Sequence, residues 1–505
     1  MRRTLPVIVL LGMALPFSNK PVHVDDANFL AMARHAAVDP WRPHDFLINW
    51  QGTTEPAFDV LSNPPGIAWW LAPVANGSII SMHLWMLPWL ILAGWGAQKL
   101  GNAVAGRPHS AALLLCGAPI AMIATQALTP DLPLLACVLA GMAGLLHKGS
   151  KDWSNKWPWA LLLGVGAVFR YSGAAMIPLV GLWPWMHGER RAAIQLMAVA
   201  SLPLALLMLH DVFAYESIHI LAMTGFQSVS NTPGDIGHKA VASVAALGGA
   251  AVLPILCWNH PKRAILGLVV GAMIGALAAD LVGQLPAPSL ATILFSAAGG
   301  ATLSAVIRPK DRLDQFLLAW CAIGLVFLIS LRFSASRYWI PFFAPLVLIP
   351  LRYAAKPLIL AASILTLLLG FALSMDDLDL AHTQQRAAEK AMLHPAERFS
   401  GHWGFQHHLE TNGWTPVEDD ELLGKQELVA ISRNAWPQST SNTCWEWMEV
   451  TPFSDPRPGL RVLTYAGGAN LHGNMLSGIP PARVFAPWSV ANDAMEHLTI
   501  RRACP

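Results

Sequence analysis

The stretch MRRTLPVIVLLGMALPFSNKPVHVDDANFL, residues 1–30, sets the reading of the whole chain. Arg2 and Arg3 precede an apolar run from Leu5 to Phe17; beyond it two adjacent carboxylates, Asp25 and Asp26, open an apolar-periodic stretch that runs through Ala36. The first run is shorter than the ~20 residues of a typical span, so a signal peptide is the competing reading. No small-x-small cleavage site follows before Lys20, and further apolar runs continue to about residue 374. An uncleaved first membrane helix is the better expectation.

Composition agrees. Apolar residues make up 54% of the 505 and charged residues 13%, roughly half the charged share of a soluble domain. A net charge of +2, with the bases in short clusters between apolar runs, excludes a nucleic-acid partner. About thirteen apolar segments lie between 5–17 and 357–374, several short of a full span, and 158–170 with 171–185 reads as a hairpin of half-helices. The expected fold is a polytopic α-helical membrane protein of about 11–13 transmembrane helices over residues 1–375, followed by a small α/β domain over 376–505.

Alternate loops carry Lys99/Arg107, Lys148/Lys151/Lys156, Arg190/Arg191, Lys262/Arg263, Arg308/Lys310/Arg312 and Arg352/Lys356. The positive-inside rule places that side in the cytoplasm. The acidic loops 18–66 and 211–239 then face out, and an odd number of crossings puts the C-terminal domain outside a cytoplasmic (inner) membrane. Cys116, Cys137, Cys257 and Cys321 lie within apolar runs and read as core residues. Cys444 and Cys504 lie in the tail, where a disulfide and two free thiols both stand open.

The first external loop, 18–66, carries the chemistry. Asp25 or Asp26 reads either as the N-cap of an interfacial helix or as a base accepting the proton of an attacking hydroxyl or amine. Adjacent residues on a helix point about 100° apart, so one of them, taken as Asp25, aims at the acceptor while Asp26 fixes its position. Asn63-Pro64-Pro65 is a stiff entry to a helix at the interface. Asp131, in Thr129-Pro130-Asp131, caps the next helix or serves as a second acid. On the same side Arg170, Arg332 and Arg337, the last followed by Tyr338, break the positive-inside pattern. Guanidinium groups at headgroup depth need an anion, and a lipid phosphate fits them; pairing with Asp25, Asp26 or Asp131 is the plainer alternative. A base for a nucleophile and cations for a departing phosphate together suit transfer of a sugar from a lipid phosphate.

In order and topology these residues resemble the GT-C-fold glycosyltransferases, in particular bacterial relatives of the dolichyl-phosphate-mannose protein mannosyltransferases and the lipid A aminoarabinose transferase. The resemblance covers about residues 1–350 and rests on Asp25-Asp26, Pro64-Pro65-Gly66, Thr129-Pro130-Asp131, Arg170 and Arg337-Tyr338 followed by Pro341. It implies Asp25 as the acceptor-side catalytic carboxylate, Asp131 as a second acid, and Arg170 with Arg337 on the donor phosphate. Such proteins often have His before the Pro-Pro pair; Asn63 stands there in this chain and takes no proton.

The expected activity is thus an inverting transfer of a sugar from a polyprenyl-phosphate donor to a lipid, glycan or protein acceptor at the outer face, among membrane lipids. Ligation of a whole glycan from a lipid pyrophosphate, and transport of lipid-linked sugars, are the alternatives. No cofactor is implied, and a divalent metal is left open; His402, His407 and His408 are a weak candidate set without a well-spaced carboxylate or thiol.

Overall fold

The computed structural model describes residues 4–147, 153–227, 233–251, 254–281, 286–454, 459–476 and 484–504. Arg2, Arg3, Lys148 and Lys151, used above for orientation, lie outside these residues. Five helices are long and apolar enough to cross a membrane: Ile79–Ala105, Arg190–Tyr215, Pro261–Asp280, Arg312–Ser330 and Lys356–Ala391. Shorter apolar helices stand among them, including Asp131–Leu146 and Ala344–Tyr353. The half-helix hairpin is present as Trp157–Phe169 and Met176–Met186, joined through Arg170 and a 3-10 turn, Tyr171–Ala175.

Asp131–Leu146 is the centre of the bundle, with every residue buried. In lipid, helices gain little from the hydrophobic effect and associate by close packing at small residues. A Cβ on Gly96 would sit 2.5 Å from the backbone nitrogen of Ala140, and one on Gly144 would enter the Trp159 ring. These contacts fix the axial position of the central helix, and so the height at which Asp131, its first residue, stands.

Lys356–Ala391 has 36 residues, about 54 Å at 1.5 Å per residue, against a hydrocarbon core of ~30 Å. Its apolar first half has the length to span; its second half, beginning near Asp376 and Asp377, continues as one helix through the 375/376 division. The C-terminal part holds a five-stranded sheet in the order Thr415–Pro416, Arg398–Ser400, Leu428–Ser432, Glu496–Ala503, Trp445–Phe453. Arg398–Ser400 pairs in parallel with both its neighbours, and Glu496–Ala503 antiparallel with both of its own. The helix Trp403–Glu410 links the first parallel pair, giving the small α/β domain expected of the tail. Cys444 and Cys504 form a disulfide.

The tail packs on the first loop. A Cβ on Gly404 would sit 2.5 Å from the Val22 carbonyl oxygen, Gly404 N–H donates to Gln384 at 3.1 Å, and the Gln406 amide donates to the Asn49 carbonyl at 2.8 Å. The His402–His408 stretch is therefore the seam between tail and loop.

Candidate active-site recess

The approach to the loop helix Asp26–Ala36 is made by Val24 at φ 46°. A β-branched side chain in the left-handed region is a genuine outlier, costing about 1–3 kcal/mol, and here it lies between His23 and the two carboxylates. Asp25 follows at the N-cap position, yet its side chain caps nothing. It contacts the guanidinium of Arg337 instead. Local capping thus does not account for this carboxylate.

Arg337 is carried by the 3-10 turn Ser336–Trp339. Its Nη2 meets Asp25, and its Nη1 lies 3.9 Å from Asp131 Oδ2. The other oxygen of Asp131 pairs with Arg170, held at the elbow between the two half-helices. Pro130 occupies the N-cap position of the central helix, so Asp131 also serves a partner across the bundle. The Tyr338 ring lies 4.5 Å from the Arg170 guanidinium and 5.8 Å from that of Arg337. An alternating row, Asp25, Arg337, Asp131, Arg170, results, with all four side chains at most 19% exposed. The plainer expectation, arginines paired with these aspartates, describes this state.

Asp26 faces inward. It is 2% exposed and accepts the Leu128 backbone N–H at 2.8 Å, pinning the first loop to the turn that leads into Asp131. Burial pushes its carboxyl up to about 7, with the Lys20 ammonium acting the other way.

A second group closes the other end. Asp377 accepts from Lys20, from His23 Nε2 at 3.0 Å and from His472 Nε2 at 2.7 Å. Burial keeps the His23 imidazole well below its ordinary basicity. Next to it, Asp376 accepts the Val462 N–H at 2.6 Å and pairs with Arg461 at 3.1 Å. Lys20, His23, Asp25, Asp26, Thr129, Asp131, Arg337 and His472 line one recess.

No family model matches this chain. No curated protein matches it either. Among solved structures it is similar to ArnT from Cupriavidus metallidurans, solved bound to undecaprenyl phosphate (14% identity, TM-score 0.39) and in the apo state (14%, 0.37), each over 85% of this chain and 92% of that one. It is also similar to the arabinofuranosyltransferase AftD from Mycobacteria, at 12% identity and TM-score 0.44, over 100% of this chain and 40% of that one.

Of the residues singled out from sequence, Asp25, Asp131, Arg170, Arg337 and Tyr338 come together, with Asp26 directly behind. Arg332 is half-buried and is not on the recess wall. Asn63 accepts His44 Nε2 at its carbonyl, 3.1 Å, and Pro64 and Pro65 are buried. The next residue, Gly66, packs so tightly on the Val168 carbonyl that a Cβ would collide with it. That segment holds the loop against the end of the half-helix that presents Arg170. Among the described residues His402, His407 and His408 form no group that could hold a metal ion; His23, Asp377 and His472 lie close enough together that they could. Lys20, Asp377 and His472 were missed from sequence. A visible hint was the pair Asp376-Asp377 at the end of the last apolar run, since carboxylates at that depth require partners.

Proposed function

We propose that this chain is a glycosyltransferase that moves a sugar from a polyprenyl-phosphate carrier to an acceptor at the outer face of the cytoplasmic membrane. The supporting observation is Asp25: a carboxylate at a helix start that caps nothing, faces a recess, and shares a guanidinium with Asp131. A base there takes the proton from an acceptor hydroxyl. As the acceptor oxygen bonds to the sugar's anomeric carbon, the bond from that carbon to the phosphate oxygen breaks and its electron pair leaves with the phosphate. Attack from the face opposite the leaving group inverts the anomeric centre. Arg337 and Arg170, planar and always charged, match the charge gathering on that phosphate.

The pairing also gives an order of events. While Arg337 is bound to Asp25, its guanidinium occupies the carboxylate that the acceptor must reach. A donor phosphate that draws Arg337 towards itself frees Asp25 for the acceptor. Donor binding first, acceptor second, follows from this coupling.

The proposal places the tail, 376–505, outside the membrane as a domain distinct from 1–375. The disulfide between Cys444 and Cys504 favours an oxidising compartment. A periplasmic-active reporter fused after Pro505 is expected to be active, and a cytoplasm-active one silent.

The activity test uses the purified chain in detergent with labelled polyprenyl-phosphate pentoses and hexoses and a cell-envelope extract. Label is expected in an envelope component, with free polyprenyl phosphate released. Movement of intact lipid-linked sugar across proteoliposomes, with no covalent transfer from any donor, supports a transporter and contradicts the proposal.

A further inference from the structure

We infer that His23, Asp377 and His472 form a divalent transition-metal site, best suited to zinc, at the end of the recess away from Arg170. The three ligands come from separate parts of the chain: the first loop, the middle of the helix Lys356–Ala391 and the tail. Their donor atoms all lie within 4.8 Å of one another. Both imidazoles turn Nε2 to the same oxygen, Asp377 Oδ1, at 3.0 and 2.7 Å. Their rings stand edge to face, 84° apart with centroids 5.3 Å apart, so the nitrogens converge without stacking. Tetrahedral zinc with bonds of about 2.0–2.2 Å sets neighbouring ligand atoms ~3.3 Å apart. Shifts on the order of an ångström or less, starting from that geometry, admit the ion.

The donor chemistry is selective. Two imidazoles and one carboxylate are a three-ligand zinc set with a fourth position open, whereas magnesium and calcium take oxygen ligands. An ion-pair clamp on Asp377 needs only Lys20, which already holds Oδ2; two further imidazoles aimed at the remaining oxygen are what a metal site adds. Lys20 then fixes the carboxylate so that it offers one oxygen, as outer partners of metal ligands do. Its charge is already paired with Asp377 Oδ2.

Such a site gives the tail a task. His472 lies two residues from Asn474, whose side-chain oxygen accepts the Ser334 N–H at 2.8 Å, three residues before Arg337. A metal held by His472 staples this tail segment over the recess. His23 and His472 line the same recess as Asp25, where a phosphate or acceptor oxygen would bind; only this last clause rests on the transferase reading.

The test is the metal content of the full chain, purified through a tag free of histidine and without chelators, by inductively coupled plasma mass spectrometry. About one zinc per chain is expected, falling below one tenth in the His23→Ala/His472→Ala double variant and unchanged in His147→Ala. Should the double variant fail to fold, calorimetry of chelator-stripped wild type is expected to show one saturable zinc site. Wild type that carries less than a tenth of a zinc and takes none up, or a folded double variant that keeps the wild-type amount, overturns the site. Because metal is read without turnover, a chain that transfers sugar without zinc sinks this inference and leaves the transferase reading intact.

Discussion

The two ends of the recess solve one problem, holding carboxylates away from bulk water, by different chemistry. At one end Asp25 and Asp131 face Arg337 and Arg170, permanent cations supplied by the membrane-embedded half. At the other, Asp377 gathers one ammonium and two imidazoles from two distant parts of the chain, the first loop and the tail. Guanidinium groups stay charged whatever occupies the site and are suited to an anion that comes and goes. Imidazoles change charge or bind metal in the ordinary pH range and are suited to a joint. On the proposed reading, the recess has an end for the leaving group and an end where the tail is fastened.

The sharpest way to break this contrast is to remove one cation from each end. Arg337→Ala strips the donor phosphate of a positioned partner and is expected to lower transfer by about 10²–10³-fold. His472→Ala is expected to cost less than tenfold in turnover while releasing the bound zinc. If His472→Ala is the more damaging of the two in a transfer assay, the ends are wrongly assigned.

A further buried carboxylate, Glu496, extends the contrast, because no salt bridge reaches it among the described residues. Glu496 is fully buried in the tail sheet and accepts from Ser432 Oγ at 2.7 Å and from the N–H groups of Asn434 and His497 at 2.9 and 2.8 Å. Burial raises its carboxyl to about 7, the hydrogen bonds opposing. The folded state therefore holds the proton more tightly than the unfolded chain. Below the ordinary glutamate range both states are protonated and folding carries no penalty from this group. As pH climbs from about 4.5 to about 7 stability is lost, by up to about 3 kcal/mol. Glu496→Gln, whose amide can donate to Ser432 while its oxygen keeps the two backbone donors, is expected to flatten that slope and raise the unfolding midpoint at pH 8. An unchanged pH dependence of thermal unfolding contradicts the assignment.

Val24 offers a smaller test. Glycine at φ 46° relieves about 1–3 kcal/mol of strain, which offsets the lost burial of the valine. Val24→Gly is expected to destabilise less than Val22→Gly by about that amount, since Val22 is equally buried on ordinary backbone. Equal losses by denaturant titration show that the turn stores no strain.

Much of the arginine end was legible in sequence because each residue violates a local rule: Arg170 and Arg337 against the positive-inside pattern, Asp25 and Asp131 at the ends of apolar runs. The helices were legible too, since hydropathy and period suffice where the solvent is lipid. The histidine end was not. Lys20, Asp377 and His472 are ordinary residues until folding brings positions more than 350 apart into contact, and a left-handed valine has no sequence signature. In the tail, the alternating stretch Leu428–Ile431 lies within one strand, Leu428–Ser432, whereas the similar stretch Arg461–Tyr465 is divided between two, Gly459–Arg461 and Leu463–Thr464. The break falls at Val462, whose N–H goes to Asp376, with Arg461 buried against the same carboxylate.

The central claim is that Asp25 accepts the acceptor's proton. Its most direct test is the rate of sugar transfer from a labelled polyprenyl-phosphate donor by Asp25→Asn, purified at wild-type yield and read by mass spectrometry of the acceptor. A base in this role contributes about 10²–10⁴-fold, so transfer at least a hundredfold slower, with the donor still bound, is predicted. Transfer within twofold of wild type would contradict it.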